Sequence, residues 1–392
     1  MKQKKPIFAI DIGTTKMCLM VLDYPDGTPR LRHYEVPSSG MKQGMLFNFK
    51  DASSALEQLI EKAEQELNID IDSVCVGVAG SHLTGKNIQV EKTPDGIISQ
   101  ELLNSWHIQT EKENEMEHLE LLHCIPTGYK IDSRPSVDNP IGLSGYGVKV
   151  SYFLVYADKS YLKDIIRLCN QNGIRVDSIY AEAVASSSVI LDEQAKDNGA
   201  TVVDIGGGSS DCLVFQKGHP VDIFTVNIAG ILMSTDLAIG LNLDYNEAER
   251  IKKYFNLTPN SETMLIKAKS RGTTFDISGA SIQKILKPRI KELSYFIAKN
   301  LLKYKGALKG GIILTGGCSN IEGLDRYMYE MLKIPVKQVN PSLCLNVTHT
   351  LNSSLATGLG LINLQLNKIR SSQSHVKSKY IASFVNWIKE LL

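Results

Sequence analysis

The chain has 392 residues, 43% of them hydrophobic and 22% charged, with 43 Lys+Arg against 42 Asp+Glu. That length exceeds what one compact core accommodates and points to two or three domains. A formal net charge of +1 gives no electrostatic basis for general nucleic-acid binding.

From the N-terminus, "MKQKKPIFAIDIG" carries basic residues and a short apolar run. Asp11 interrupts that run too early for a signal peptide. No run approaches the roughly 20 apolar residues needed to span a bilayer, so a cytoplasmic protein is expected. The seven cysteines are scattered and include no CxxC pair. A reducing compartment fits, and neither a disulfide framework nor a zinc site is expected.

One device occurs twice. "IFAIDIGTTKMCLMVL" (residues 7–22) and "TVVDIGGGSSDCLVF" (residues 201–215) each run strand, Asp-Ile-Gly, small or hydroxyl residues, strand. Such spacing predicts two similar domains facing each other, since solenoid repeats are far shorter. Glycines let backbone N–H groups approach a phosphate, and hydroxyls add donors. The candidates are Gly13, Thr14 and Thr15 in the first copy and Gly206, Gly207, Gly208 and Ser209 in the second. Lys16 adds a positive charge. Asp11 and Asp204 would repel a bare phosphate, so they call for a cation such as Mg²⁺ between. A dinucleotide-binding reading of "GGGSS" fails because the strand-like "DCLVF" follows where a helix should.

Between the copies, "GSHLTGKN" (residues 80–87) nearly spells a nucleotide-binding P-loop. Asn87 stands where Ser or Thr is required, and "NIQVEK" alternates like a strand, so a structural loop is predicted. Beyond the second copy, "NEAERIKKYF" places Glu249 and Lys252 on one helical face. "GGIILTGGCSNIEGL" (residues 310–324) runs a strand into Gly316-Gly317 and predicts a helix from about Asn320, its positive end suited to negative charge. At the C-terminus, "KYIASFVNWIKELL" is amphipathic. Ile381, Phe384, Val385, Trp387, Ile388, Leu391 and Leu392 share one side, and Ser383, Asn386, Lys389 and Glu390 the other. Twelve helical residues reach about 18 Å against a bilayer core of roughly 30 Å, so this helix cannot cross a membrane, and its apolar side is suited either to a membrane interface or to docking on the protein's own body.

In this order the elements resemble the actin and sugar-kinase superfamily, with phosphate loops at the two Asp-Ile-Gly turns and an adenosine loop at "LTGG". "YAEAVASSSVIL" (residues 180–191) resembles that superfamily's connecting helix, which implies that Glu182 orients the attacking water and acts with Asp204 as a catalytic residue. "LLHCIPTGYKIDSRPSVDNPIGLSGYGVKVSYFLV" (residues 121–155), "AGILMSTDLAIGLNLDYNEAERIKKYF" and the terminal helix resemble the FtsA family of bacterial cell-division proteins. The departures are Ala229-Gly230 where the family usually has Gly-Gly, and Ser209, Ser210 and Ser234 where it has Thr.

The resemblance implies an α/β, actin-like, two-lobed ATPase fold, each lobe a mixed sheet flanked by helices, with an inserted small subdomain. Lobe one is expected from residues 1–81, 156–190 and 345–364, the insertion from 82–155, and the lobe-two core from 191–230 and 306–344. A subdomain at 231–305, a linker at 365–378 and the membrane helix at 379–392 complete the division.

ATP and Mg²⁺ are the implied cofactors. Asp11 and Asp204 would hold the ion, the two turns the phosphates, and Glu249, Lys252, Gly316 and Gly317 the nucleoside. The implied partners are the C-terminal tail of the tubulin-like FtsZ at Arg289, further copies in a filament, membrane proteins of the division machinery, and an anionic membrane surface. Nucleic acid is not among them. The membrane contact would use Ile381, Phe384, Trp387, Ile388, Lys389 and Leu391, which implies a peripheral protein on the cytoplasmic face at the division site. Slow ATP hydrolysis is left open. The competing readings are a small-molecule kinase on the same fold, which lacks an unassigned general base here, and a scaffold resembling PilM of pilus assembly, which does not account for the terminal helix.

Overall fold

The computed structural model describes residues 5–270, 272–342 and 352–373. The terminal amphipathic segment, with every residue expected to touch membrane, lies outside the described residues.

Strands β1 (Ile7–Ile12) and β2 (Lys16–Asp23) form an antiparallel hairpin in which Ile12 faces Met17. Strand β3 (Arg30–Pro37) extends it. The short hairpin of β4 (Met41–Lys42) and β5 (Met45–Leu46) leads into α1 (Phe49–Leu67). Asn48 caps that helix by accepting from the Asp51 amide. Ala52, Ala55, Leu56, Leu59, Ile60 and Ala63 recur at helical spacing and bury one face. Strand β6 (Ser73–Val78) then lies parallel to β1.

A three-stranded antiparallel sheet follows, built from β7 (Leu83–Lys92), β8 (Leu119–Ile131) and β9 (Val148–Asp158), with β9 central. Helix α2 (Gln100–Glu113) covers it. Trp106, Tyr129, Ile131, Val150, Tyr152 and Leu154 belong to a separate small core there. The near-P-loop residues are thus the entry to a strand, and no helix follows them.

Helix α3 (Lys159–Gln171) and strand β10 (Arg175–Ala181) return to the first sheet, whose order is β10-β6-β1-β2-β3. Next come α4 (Glu182–Ile190) and the short α5 (Glu193–Asp197).

The second lobe repeats the opening. Strands β11 (Ala200–Ile205) and β12 (Ser210–Gln216) pair antiparallel with Ile205 facing Ser210, and β13 (His219–Val226) extends them. Helices α6 (Gly230–Leu241) and α7 (Tyr245–Tyr254) lead to the hairpin β14 (Leu265–Ser270) and β15 (Thr273–Ser278) and to α8 (Gly279–Leu301). Strand β16 (Gly311–Thr315), helix α9 (Leu324–Leu332) and strand β17 (Val336–Gln338) complete the sheet order β13-β12-β11-β16-β17.

Two expectations are corrected. The double glycine opens into a 3-10 turn at Gly317–Asn320, and α9 begins only at Leu324. The Ser319 hydroxyl donates to the Gly316 carbonyl at 2.8 Å, so a side chain takes a bond that an immediate α-helix would form through its backbone. The final described helix, α10 (Ala356–Gln373), runs on through residues 365–373, which were expected to be linker.

Helix α4 is buried almost all round, as befits a helix packed between two layers. It touches β6 and β10 of one sheet, β11, β12 and β16 of the other, and α10. The crossing of α10 over α4 is close because Gly360 faces Ala185, and a Cβ there would overlap the Ala185 carbonyl group. Gly360→Ala should therefore cost about 1–3 kcal/mol by forcing the helices apart, although alanine is the better helix former. Equilibrium unfolding in urea checks this, and an unchanged or raised midpoint would contradict so tight a crossing.

Candidate functional site

A cavity of about 460 Å³ lies where the two hairpin turns face one another. The β1–β2 turn supplies residues 13–16 and the β11–β12 turn residues 206–209. The approach is as close as packing allows. A Cβ on Gly207 would overlap Thr15, and one on Gly208 would overlap Thr14. The Thr14 hydroxyl also accepts from the Gly44 amide at 2.9 Å. Gly206, Gly207 and Gly208 form a turn closed by the Gly206 N–H donating to the Ser209 carbonyl at 3.0 Å.

Asp11, at the end of β1, and Asp204, at the end of β11, are both in the wall. So are Glu182, the first residue of α4, and Asp211 on β12. Burial, with Lys16 partly opposing it, pushes Asp11 up to about 6. Burial together with Asp211 and Asp11 pushes Asp204 up to about 7. Glu182 is driven well above the usual carboxylate range by burial and by the same acids. Asp211 is also raised by burial, against the hydrogen bonds it accepts from Thr225 at 2.6 Å, Ser209 at 2.7 Å and the Gly80 amide at 3.1 Å. Acids gathered without enough positive charge fit a divalent cation. Lys16 is engaged with Glu35.

On the opposite wall, Glu249 and Lys252 of α7 form an ion pair at 2.7 Å, with Lys253 at 3.4 Å from the same carboxyl group. Burial alone would raise Glu249, but Lys252, the Ser234 hydroxyl and Lys253 more than offset it and hold it below its ordinary value. Lys252 also donates to the Gly230 carbonyl at 3.1 Å. Serine in place of the family's usual threonine at 234 thus keeps its working hydroxyl. Ala229 is extended, with φ −158° and ψ −163°, so no glycine is needed there. At Gly230, by contrast, a Cβ would overlap Cys318. Gly316 has φ +87°, and a Cβ on it would overlap Asp204.

The cavity thus brings together Asp11, Gly13, Thr14, Thr15, Lys16, Glu182, Asp204, residues 206–209, Glu249, Lys252, Gly316 and Gly317. Sequence reasoning missed Asp211, Glu35, Tyr161, Cys318, Asn320 and residues 352–354 in the same wall. It also missed Thr357, whose hydroxyl donates to Asp204 at 3.2 Å. The run "NSSLATGLG", small and hydroxyl-rich, was the available signal. Arg289 is elsewhere. It grips Asp236 of α6 through two hydrogen bonds, at 2.7 and 3.0 Å, and pairs with Glu292.

Two mixed sheets around a cleft, entered by matching glycine hairpins, define an actin-like two-lobed protein with an inserted domain. Solved structures agree on that fold. A PilM–PilN type IV pilus biogenesis complex gives a TM-score of 0.64 at 17% identity, over 92% of this chain and 98% of that one. MreB 5 of Spiroplasma citri bound to AMPPNP gives 0.57 at 14% identity, over 95% and 99%. The sequence narrows the class. Residues 201–360 match the family described as cell division protein FtsA, and residues 80–156 the SHS2 domain inserted in FtsA. The chain is 25% identical to cell division protein FtsA of Escherichia coli K12, over 99% of this chain and 97% of that one. It is 27% identical to that of Pseudomonas aeruginosa, over 93% and 90%. The chain belongs to the FtsA family.

The buried acids make a stability prediction. Asp204 titrates near 7 when folded but near 3.9 when unfolded, so the folded apoprotein holds the proton more tightly. The stability it contributes is full below about 4, is lost as pH rises from there to about 7, and is absent above. Asp204→Asn keeps the acceptor for Thr357 and removes the charge. With chelator present, the variant should exceed the wild type by on the order of 2–4 kcal/mol at pH 8, and by less at pH 6. Thermal unfolding at the two pH values checks this.

Proposed function

We propose that the chain is a nucleotide-dependent membrane adaptor of bacterial cell division: it binds Mg-ATP in the cleft, assembles with copies of itself, and tethers FtsZ and the division machinery to the cytoplasmic membrane. The observation that carries the reading is the cleft itself, where two glycine turns in near contact face buried acids short of positive charge.

In this reading Asp11 and Asp204 hold Mg²⁺, which supplies charge neutralisation for the triphosphate. The amides and hydroxyls of residues 13–15 and 206–209, with Lys16, hold the phosphates. Glu249 and Lys252 flank the ribose and base beside Gly316 and Gly317. Glu182, at the head of α4, orients the attacking water, with Asp204 as the second catalytic acid. Arg289 serves the acidic FtsZ tail only by exchanging Asp236 for a tail carboxylate, since its fork is already filled.

The membrane contact rests on the terminal segment. Among the described residues no helix is long and apolar enough to cross a membrane, and an interfacial helix over 379–392 needs none. Trp387 suits the headgroup boundary, and the surrounding lysines and Arg370 favour an anionic surface.

Asp204→Ala should lose at least tenfold in Mg-ATP affinity by calorimetry while remaining folded. Wild-type affinity would remove the acid from the site. Trp387→Glu, or truncation after Ser378, should abolish sedimentation with anionic liposomes while leaving Mg-ATP affinity unchanged. Liposome binding at wild-type levels would refute the anchor.

A further inference from the structure

Away from the cleft, the inserted domain gathers three side chains of the kinds that bind transition metals. His107 and Glu111 stand one turn apart on α2, and Cys124 lies on β8, a strand that α2 packs against. Their ligand atoms all lie within 4.8 Å of one another. His107 Nε2 is 3.2 Å from Glu111 Oε1. The other carboxylate oxygen, Glu111 Oε2, is buried and has no hydrogen-bond partner.

That last oxygen distinguishes the cluster from an ordinary i,i+4 ion pair. A pair with His107 uses Oε1 alone and leaves Oε2 desolvated with nothing in return, a costly state for a carboxylate. Nor does it give the Cys124 sulfur a role. A cation seated between the three groups satisfies the oxygen and engages the sulfur together.

We propose that His107, Glu111 and Cys124 form a zinc site, with water as the fourth ligand. The set of one imidazole nitrogen, one carboxylate oxygen and one sulfur suits Zn²⁺, whereas Mg²⁺ and Ca²⁺ prefer oxygen throughout. Tetrahedral zinc, with bonds of about 2.0–2.3 Å, needs its ligands roughly 3.3–3.7 Å apart. The His107–Glu111 distance is already close to that, and small side-chain rotations close the rest. His107 is about one-third exposed, which leaves room for entry and for the water. On binding, the Cys124 sulfur exchanges its proton for the metal, and that proton passes to solvent. Zinc with one thiolate and one carboxylate is formally neutral, which keeps partial burial inexpensive. The ion would clamp α2 onto β8, joining residues that span the covering helix and an outer strand of the inserted domain.

The test uses the full chain, stripped with chelator and free of nucleotide and Mg²⁺. Titration with Co²⁺ should produce a thiolate-to-cobalt charge-transfer band that saturates at one equivalent, and Zn²⁺ should bleach it. The acids of the cleft can take Co²⁺ through oxygen but give no such band. Cys124→Ser should abolish the band, and zinc should raise the Tm of the wild type by more than that of the variant, the rise left in the variant coming from zinc held by the cleft acids. His107→Ala and Glu111→Gln should each weaken zinc binding at least tenfold by calorimetry. A wild type without the band, or a band of equal strength in Cys124→Ser, overturns the proposal. Should Cys124→Ser fail to fold, Glu111→Gln decides, because unchanged zinc affinity in that variant overturns the site equally.

Discussion

The near contact of two glycine turns governs the rest of this molecule. Thr14 and Thr15 occupy the space that side chains at 207 and 208 would need, so at this point the two turns meet as glycine backbone against threonine side chains. Such an approach is open only to glycine. It brings the ends of β1 and β11 together, and with them Asp11 and Asp204. The apoprotein therefore holds carboxylates in a setting that penalises their charge. Stability is given up at the place where a ligand can restore it, as is usual for binding sites.

Helix α4 transmits that arrangement through the body. It begins at Glu182 in the cleft wall, packs between the two sheets, and carries α10 across its back. Alanine, serine and glycine at the crossing leave little room for adjustment, because well-packed interiors deform little. The inserted domain is tied in at its own entrance, where the Gly80 amide donates to Asp211 just ahead of β7. Asn87 of β7 further donates to the Val221 carbonyl of β13.

The paired hairpins were legible in the sequence because Asp, Ile, Gly and hydroxyl residues recur in a fixed local order, and the chemistry of a phosphate loop is itself local. Glu249 and Lys252 were legible as an ion pair, since residues three apart on a helix share a face, although only packing shows that the pair lines a cavity. Asp211 looked like one more position of a strand. Thr357 and residues 352–354 enter the wall from the far end of the chain, and no local pattern announces that. Residues 365–373, "QLNKIRSSQ", read as linker for want of a long apolar stripe, yet they prolong a helix already anchored by Leu359, Leu361 and Ile362. His107, Glu111 and Cys124 carry no recognisable metal spacing, because a helix and a strand fold them together.

The length of α10 has a consequence for posture. The described part of the helix reaches Gln373, and the proposed membrane segment starts at 379. The five residues between can stretch at most about 18 Å, whereas a body of this size is about 55 Å across. A leash so much shorter than the particle cannot let it tumble. Were the proposed segment seated on a bilayer, only the side from which α10 emerges could rest toward it, and each copy laid down there would adopt the same heading before meeting its neighbour. Alignment would then be inherited from the tether, with the contact between copies left only to choose the spacing.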